Sequence, residues 1–388
     1  MVLPHLRKRE KPNGAKMTIL ECTIRKKISD SWVGTTPGFH LQVIQNGDLQ
    51  ADLRFGVTYP NYDWASLTKM VLTHTLFMKC VQEGILSIDD PLTKFLPDLT
   101  NCGDDVKLRH LLSHTAGLPG TIGFWNLGSQ VDDLKERQNI WRKSVLSLPI
   151  YISERSSYSE IDFQIIGYVL ESVLGNEIGN HWNKLSKEMG IQHTRYHENN
   201  IINKSADLFA PTEICPLRNV RIQGQVHHPD IWLTGGVGWL SGLFGPMSDL
   251  AIWAKGLRKS YYDISEWVIS NEVLHLFSKR VNQDNKGSSS LGYMMPKIGP
   301  RSGQKYYLSS GSKLSPLSIG HTGYTGPMFW FDPEKDLIIL ILANRTFPNA
   351  ENESWFDYRG LLHDHIVESI QEISSRETRT KESECYHE

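Results

Sequence analysis

The sequence lacks the features that mark several large classes of protein. It has only five cysteines among 388 residues, an odd number at long spacings, which predicts neither a disulfide framework nor a cysteine metal site. No apolar run approaches the roughly 20 residues that span a bilayer. The net charge of −2 provides no basic field for nucleic acid. We therefore expect no membrane span and no nucleic-acid partner.

The start of the chain also lacks a secretory signal. Residues 1–16 are basic and polar, without the apolar stretch that such a signal needs. We expect this segment to be a disordered lead-in. Together with the absence of a disulfide pattern, it favours a cytoplasmic location.

Common catalytic and cofactor fingerprints are missing as well. The sequence has no Gly-x-Ser-x-Gly elbow, phosphate loop or dinucleotide-binding glycine pattern. His110 and His114 have the four-residue spacing of zinc ligands, but no glutamate lies between them and no third ligand is evident. A structural turn explains this pair better, and the pair His227-His228 is typical of surface or cap residues. We expect no metal and no cofactor.

The most informative stretch that is present is Ser66-Leu67-Thr68-Lys69. Residues three apart in a helix share one face, so a helix here brings an amine close to a hydroxyl. The apolar residues from Leu67 to Glu83 recur at helical spacing and stop at Gly84, which predicts a helix that begins at Ser66. A desolvated lysine favours its neutral form and can accept the serine proton, which makes the serine oxygen a nucleophile.

The spacing alone does not identify a nucleophile. Ser302–Lys305 and Ser310–Lys313 have it too, but both lie in a Gly/Ser-rich stretch that predicts a loop. A serine that only caps a helix, followed by a solvated lysine, is an alternative interpretation of Ser66 and Lys69.

Two further segments contain groups that a serine nucleophile needs. Tyr158, just before a predicted helix over residues 161–174, can exchange a proton with Ser66 if it lies against Lys69. The backbone N–H of Tyr324, in the segment from Gly320 to Gly326, can join that of Ser66 as an oxyanion hole. Each segment also has a plain structural interpretation, as a packed tyrosine and as a glycine-rich turn.

The order of predicted elements indicates an α+β fold. An Asn46-Gly47 turn between two alternating runs predicts a hairpin near the start, and a second hairpin is predicted around 333–336 near the end. We expect an antiparallel sheet flanked by helices, with a mostly helical lobe inserted between its halves. The predicted boundaries are 17–115 and 235–375 for the sheet domain, 116–234 for the lobe, and 376–388 for a frayed tail.

From about Thr35 to Pro348 the chain resembles serine hydrolases of the class C β-lactamase and penicillin-binding type. That family has a Ser-x-x-Lys motif, a Tyr-x-Asn or Tyr-Ser-Asp motif and a Lys-Thr-Gly or His-x-Gly motif, in this order. The corresponding segments here are Ser66–Lys69, Tyr158-Ser159-Glu160 and His321-Thr322-Gly323. The resemblance implies a β-lactamase/transpeptidase-like fold. It also implies Ser66 as nucleophile, Lys69 and Tyr158 as the proton-transfer pair, and a substrate and oxyanion site over His321, Thr322, Gly323 and Tyr324.

Two departures from the family pattern bear on the substrate. Glu160 stands where many members have Asn or Asp, and it would repel an acidic substrate unless an arginine neutralises it. His321 stands where β-lactamases have lysine, which removes a permanent positive charge. We therefore predict an esterase or amidase rather than a strong β-lactamase, acting on a small-molecule or peptide-like acyl substrate.

Other functions remain open at this stage. The same site can serve a D-alanyl peptidase, a β-lactamase or an acyltransferase, since these differ in substrate or second acceptor. A catalytically silent binding scaffold is a further alternative, which an intact Ser/Lys/Tyr set argues against. The sequence does not predict the oligomeric state, and it leaves open whether Arg345 binds a substrate carboxylate.

Overall fold

The central sheet is built from both ends of the chain. A computed structural model describes residues 16–175, 178–197, 206–283, 288–298 and 309–385. Strands β1 (Gly38–Gln45) and β2 (Asp48–Gly56) form the predicted first hairpin, in which Asn46 and Gly47 both have positive φ, as a type I′ turn requires. Strands β11 (Met328–Asp332) and β12 (Leu337–Ala343) form the second hairpin. β1 then pairs antiparallel with β12.

Side-chain alternation along β12 explains why its sequence is continuously apolar. Ile339 and Ile341 pack on one face of the sheet, with the first and last helices of the chain. Ile338 and Leu340 pack on the other face, with the helices of the middle of the chain. Because successive side chains of a strand point to opposite faces, a strand covered on both sides must be apolar at every position. The mixed α+β architecture with an antiparallel sheet is thus confirmed, whereas the domain boundaries stay a prediction.

The order of the five-stranded sheet is β10-β11-β12-β1-β2, with every neighbouring pair antiparallel. The remaining strands are β3 (Tyr62–Asp63), β4 (Arg195–Tyr196), β5 (Pro211–Cys215), β6 (Val220–Gln223), β7 (Leu243–Gly245), β8 (Asn282–Gln283), β9 (Ser288–Ser289) and β10 (Ile319–Thr322). The α-helices are α1 (Ile19–Ile28), α2 (Thr75–Gln82), α3 (Leu108–Leu112), α4 (Trp125–Gly128), α5 (Leu134–Leu146), α6 (Glu160–Leu174), α7 (Ile178–Met189), α8 (Pro229–Leu233), α9 (Met247–Tyr261), α10 (Asn271–Ser278) and α11 (Ser354–Cys385). Short 3-10 turns cover Leu92–Lys94 and Ala206–Leu208.

Two helices differ from their sequence predictions. The helix predicted over residues 67–83 contains a π-helical segment, Lys69–His74, which leads directly into α2. The predicted terminal helix over residues 354–374 continues to Cys385, helped at its surface by an i, i+4 ion pair between Arg376 and Glu372. Within the described residues, no helix combines the length and the apolar character that crossing a bilayer requires.

Candidate active site

Ser66 lies on a tight turn between β3 and the π-helical segment. The turn depends on Ala65, whose φ of 45° is left-handed, and on Asp63. Asp63 Oδ1 accepts the Ala65 N–H at 2.8 Å, and its Oδ2 accepts the His227 N–H at 2.8 Å. Burial raises the pKa of Asp63, and these two backbone hydrogen bonds oppose that rise. The carboxyl group therefore anchors the peptide just before the serine to the segment that precedes α8.

Lys69 brings the predicted catalytic side chains together. Its Nζ lies 2.7 Å from Ser66 Oγ and 2.9 Å from Tyr158 Oη, while Tyr158 Oη lies 3.4 Å from Ser66 Oγ. Lys69 is completely buried, which is rare for a lysine. Among the described residues, no carboxylate lies within ion-pair distance of its Nζ. Buried lysines need polar partners, and here those partners are a hydroxyl and a phenol.

Tyr158 reaches this site from the start of α6. Ser159 is the N-cap of that helix, and its Oγ accepts the Ile161 N–H at 3.1 Å. The capped helix starts one residue after Ser159, which leaves Tyr158 in the preceding loop with its side chain 47% exposed. The phenol is thus positioned by a capped helix end while about half of the residue stays exposed to solvent.

The end of β10 runs beside the Ser66 turn. A Cβ added at Gly323 would lie 2.8 Å from the Trp64 carbonyl oxygen, so only glycine fits this approach. Thr325 Oγ1 donates to the Asp63 carbonyl at 2.9 Å, which fixes the two segments to each other. Within the described part of the chain, the N–H groups of Ser66 and Tyr324 donate to no other residue. Thr322 is half-buried, with its Oγ1 4.0 Å from Met294 Sδ.

His321 is buried beside Tyr158. Its Nδ1 lies 2.9 Å from the Thr322 carbonyl oxygen, and its ring centroid is 6.0 Å from that of Tyr158. Burial, followed by the positive charge of Lys69, lowers the pKa of His321 well below its usual value. The imidazole is therefore neutral at pH 7, and it does not replace the positive charge of a lysine at this position.

Glu160 is neutralised by a histidine and not by an arginine. Its Oε1 lies 3.1 Å from His228 Nε2, and both side chains are 17% exposed. Burial alone would raise the pKa of Glu160, but His228 and then Lys69 lower it to about 2. His228 does occupy the N-cap position of α8, as its sequence interpretation allowed, but its side chain pairs with Glu160. Sequence reasoning missed this partner because 68 residues separate the two.

Arg345 is committed to the turn that carries Tyr324. Its Nε donates to the Tyr324 carbonyl oxygen at 2.7 Å, and its Nη1 donates to the carbonyl oxygens of Ala350 and Asn352. The guanidinium is fully buried and lies 4.3 Å from the centroid of the Tyr324 ring. It stabilises the turn and does not present its charge to a substrate carboxylate.

The two histidines with zinc-like spacing have separate roles. His110 Nδ1 accepts the Lys107 N–H at 2.9 Å, at the start of α3. His114 Nδ1 lies 2.7 Å from Asp162 Oδ2, and its ring centroid is 4.9 Å from that of Tyr158. The described residues contain no group of three His, Cys, Asp or Glu side chains that can hold a metal ion. The structural turn stays a prediction, and the sequence did not indicate the contacts of His114 with Tyr158 and Asp162, because both partners are distant along the chain.

Comparisons with known proteins identify the family. The sequence model of the Beta-lactamase family matches residues 24–364. A relative from Salmonella agona (strain SL483), named "Putative D-alanyl-D-alanine carboxypeptidase", is 25% identical over 75% of this chain and 71% of its own.

Solved structures show the same fold at lower identity. EstCE1, described as a hydrolase with promiscuous acyltransferase activity, is 16% identical, with a TM-score of 0.66 over 90% of this chain and 100% of its own. A class C β-lactamase from Rhodobacter sphaeroides is 18% identical, with a TM-score of 0.61 over 89% of this chain and 99% of its own. The fold and the family match together agree with the ordered motifs, and the chain belongs to the β-lactamase family of serine hydrolases.

Proposed function

We propose that the protein hydrolyses small uncharged esters, or reactive amides, through an acyl-enzyme on Ser66. The observation that carries this proposal is the position of Lys69 Nζ, within hydrogen-bond distance of both Ser66 Oγ and Tyr158 Oη. A serine hydroxyl becomes a nucleophile when a neighbouring base takes its proton, and this arrangement supplies such a base.

The reaction proceeds in two halves. Ser66 Oγ bonds to the carbonyl carbon of the substrate while its proton passes to the Lys69–Tyr158 pair. The negative charge on the carbonyl oxygen is stabilised by the N–H groups of Ser66 and Tyr324, and the pair returns the proton to the departing alcohol. The pair then deprotonates a water molecule, which attacks the acyl group and releases the acid and Ser66. An alcohol in place of water would give acyl transfer.

The preference for uncharged substrates rests on the charges around the site. His321 is neutral, and Arg345 is buried in backbone hydrogen bonds, so neither attracts a carboxylate. Glu160 is ionised and is already paired with His228. A penicillin or a peptide ending in D-alanine carries a carboxylate that forms no favourable ion pair with these groups. A short neutral ester needs no such ion pair, so its binding is not weakened.

Covalent labelling tests the nucleophile. We expect a fluorophosphonate probe to label the wild-type protein and the Ser310→Ala variant equally, and to leave Ser66→Ala unlabelled. Ser310 is the matched control because it also stands three residues before a lysine. Labelling of Ser66→Ala at the wild-type rate would contradict the assignment. An unlabelled wild type that also fails to turn over p-nitrophenyl esters would support a silent scaffold.

Relative rates test the substrate class. We expect kcat/KM to be highest for p-nitrophenyl acetate or butyrate, lower for a peptide ending in D-Ala-D-Ala, and lowest for a cephalosporin. A faster cephalosporin reaction would favour a β-lactamase, and a faster peptide reaction a D-alanyl peptidase. Added methanol distinguishes acyl transfer, because a methyl ester would then form at the expense of the acid.

A further inference from the structure

One loop holds the segment that carries Tyr158 on both sides. The Ser157 N–H donates to the His114 carbonyl oxygen at 2.9 Å. On the other side of the tyrosine, Ser159 Oγ donates to the Pro119 carbonyl oxygen at 2.6 Å. The position of the phenol therefore depends on the loop that follows α3.

The side chain of His114 is the part of this loop that touches Tyr158. Its backbone is left-handed, with φ at 55°, and its ring is buried against the tyrosine ring. The Nδ1 atom lies 2.7 Å from Asp162 Oδ2, within the first turn of α6. An ionised carboxylate only accepts hydrogen bonds, so it keeps the proton on Nδ1 and fixes the orientation of the ring. Asp162 thus orients His114, and His114 packs against the catalytic phenol.

Asp162 also contributes charge to the lysine of the site. Burial raises its pKa to about 6, while His114 and then Lys69 oppose that rise. The other titratable groups around Lys69 are Glu160, which is paired with His228, and the neutral His321 from β10. Above pH 6, Asp162 is therefore ionised, and this second carboxylate interacts electrostatically with Lys69 without touching it.

We propose that His114 and Asp162 form a positioning pair that holds the Tyr158 phenol against Lys69 and sets the pH at which the Ser66–Lys69–Tyr158 group becomes active. The inference rests on the proposed acyl-enzyme function and assigns a role to two residues outside its proton-transfer steps. His110 gives a matched control, because it lies in α3 one turn before His114 and its Nδ1 accepts the Lys107 N–H at the start of that helix, away from Tyr158.

The test compares Asp162→Asn, His114→Asn and His110→Asn in p-nitrophenyl butyrate hydrolysis across pH 5–9. Asp162→Asn removes a negative charge that interacts with Lys69, so the rise of kcat/KM with pH should move to lower pH, with kcat about 10-fold lower and KM nearly unchanged. His114→Asn keeps a residue that tolerates left-handed backbone but loses the ring. Its kcat should fall about 100-fold, because small misplacements of a catalytic group have effects of that size. His110→Asn should keep the wild-type kcat and the wild-type pH dependence of kcat/KM.

Other results would overturn the proposal. The proposal is wrong if Asp162→Asn keeps both the wild-type kcat and the wild-type pH dependence of kcat/KM. It is also wrong if kcat falls in parallel with Tm while the pH dependence of kcat/KM does not change. If Asp162→Asn does not fold, the pH profile of His114→Asn tests the proposal instead. Without the N–H donor of His114, Asp162 becomes protonated at a higher pH. The rise of kcat/KM with pH should therefore also move to lower pH in this variant. Failure of the proposed function is distinguishable, because the wild-type protein would then resist fluorophosphonate labelling whatever the variants do.

Discussion

Among the residues that the structure describes, two segments share the Ser-x-x-Lys spacing, and only one of them brings its serine and lysine side chains together. At Ser66 the lysine is buried and its Nζ binds the serine Oγ at 2.7 Å. At Ser310 the serine Oγ donates to the Gly311 carbonyl oxygen, and Lys313 Nζ lies 3.2 Å from Glu368 Oε1, with its side chain 36% exposed. The third match, Ser302–Lys305, lies outside the described residues.

The difference between the two segments is backbone conformation and the charge beside the lysine. The Lys69 N–H donates to the Ser66 carbonyl oxygen at 3.1 Å, so the chain already turns as a helix there. Gly311 has a φ of 67°, which breaks any helix between Ser310 and Lys313. Lys313 has a carboxylate as its partner, whereas Lys69 has a phenol and a hydroxyl as partners. The spacing predicts a nucleophile only where a helix and burial accompany it.

Replacing each lysine by methionine gives the largest expected contrast. Methionine keeps the length of the side chain and removes the amine. Lys69→Met should lower kcat for p-nitrophenyl butyrate by about 1,000-fold or more, because Ser66 loses its base. Lys313→Met should keep kcat within about 2-fold and change stability by less than about 1 kcal/mol, as expected for an exposed ion pair. Initial rates and urea unfolding measure both effects, and a Lys69→Met enzyme within 10-fold of wild type would remove the basis of the comparison.

Replacing Tyr158 or Tyr324 by phenylalanine gives a smaller contrast in kcat. Tyr158→Phe removes the phenol that passes a proton to the leaving group and should lower kcat about 100-fold. Tyr324→Phe keeps the backbone N–H assigned to the oxyanion hole, so it should remain within about 3-fold of wild type. The rate of fluorophosphonate labelling checks whether the acylation half is affected. Equal losses in the two variants would mean that the phenol of Tyr158 has no special part.

Local patterns predicted much of this molecule. The Asn46-Gly47 turn specifies its own hairpin, and the apolar face of α6 specifies a buried helix just after Tyr158. The ordered motifs then placed Ser66, Lys69 and Tyr158 together, and the distances between their polar atoms agree with that placement.

Contacts between distant segments were beyond the reach of the sequence. The π-helical segment after Ser66 is held by buried side-chain bonds such as that from Thr73 Oγ1 to the Trp239 carbonyl oxygen, 166 residues away. The sequence indicated no partner for Glu160, and the structure pairs it with His228. No periodicity encodes such pairs, because they depend on how separate elements pack.

Glu160→Gln tests a third contrast, between the Glu160–His228 pair near the site and the exposed pair of Lys313 with Glu368. Glu160 acts on Lys69 only at a distance and is neutralised by His228. We therefore expect ester hydrolysis within about 10-fold of wild type. Stability should fall by about 1–3 kcal/mol, between the values for exposed and fully buried pairs, because His228 loses its partner.

The pH dependence of that loss distinguishes a charge pair from a packing effect. Glu160 has a pKa of about 2 in the folded protein against 4.5 for the free group, so its contribution is complete above pH 4.5 and disappears as pH falls through 2. Burial alone would lower the pKa of His228, but Glu160 raises it, so the contribution of His228 is complete below pH 6.5 and disappears as pH rises through the higher folded value. The difference in free energy of unfolding between wild type and Glu160→Gln should therefore be largest from about pH 4.5 to 6.5 and smaller on both sides. Urea unfolding at pH 3, 5.5 and 9 measures it, and a difference that does not change with pH would mean that Glu160 stabilises the fold by packing alone.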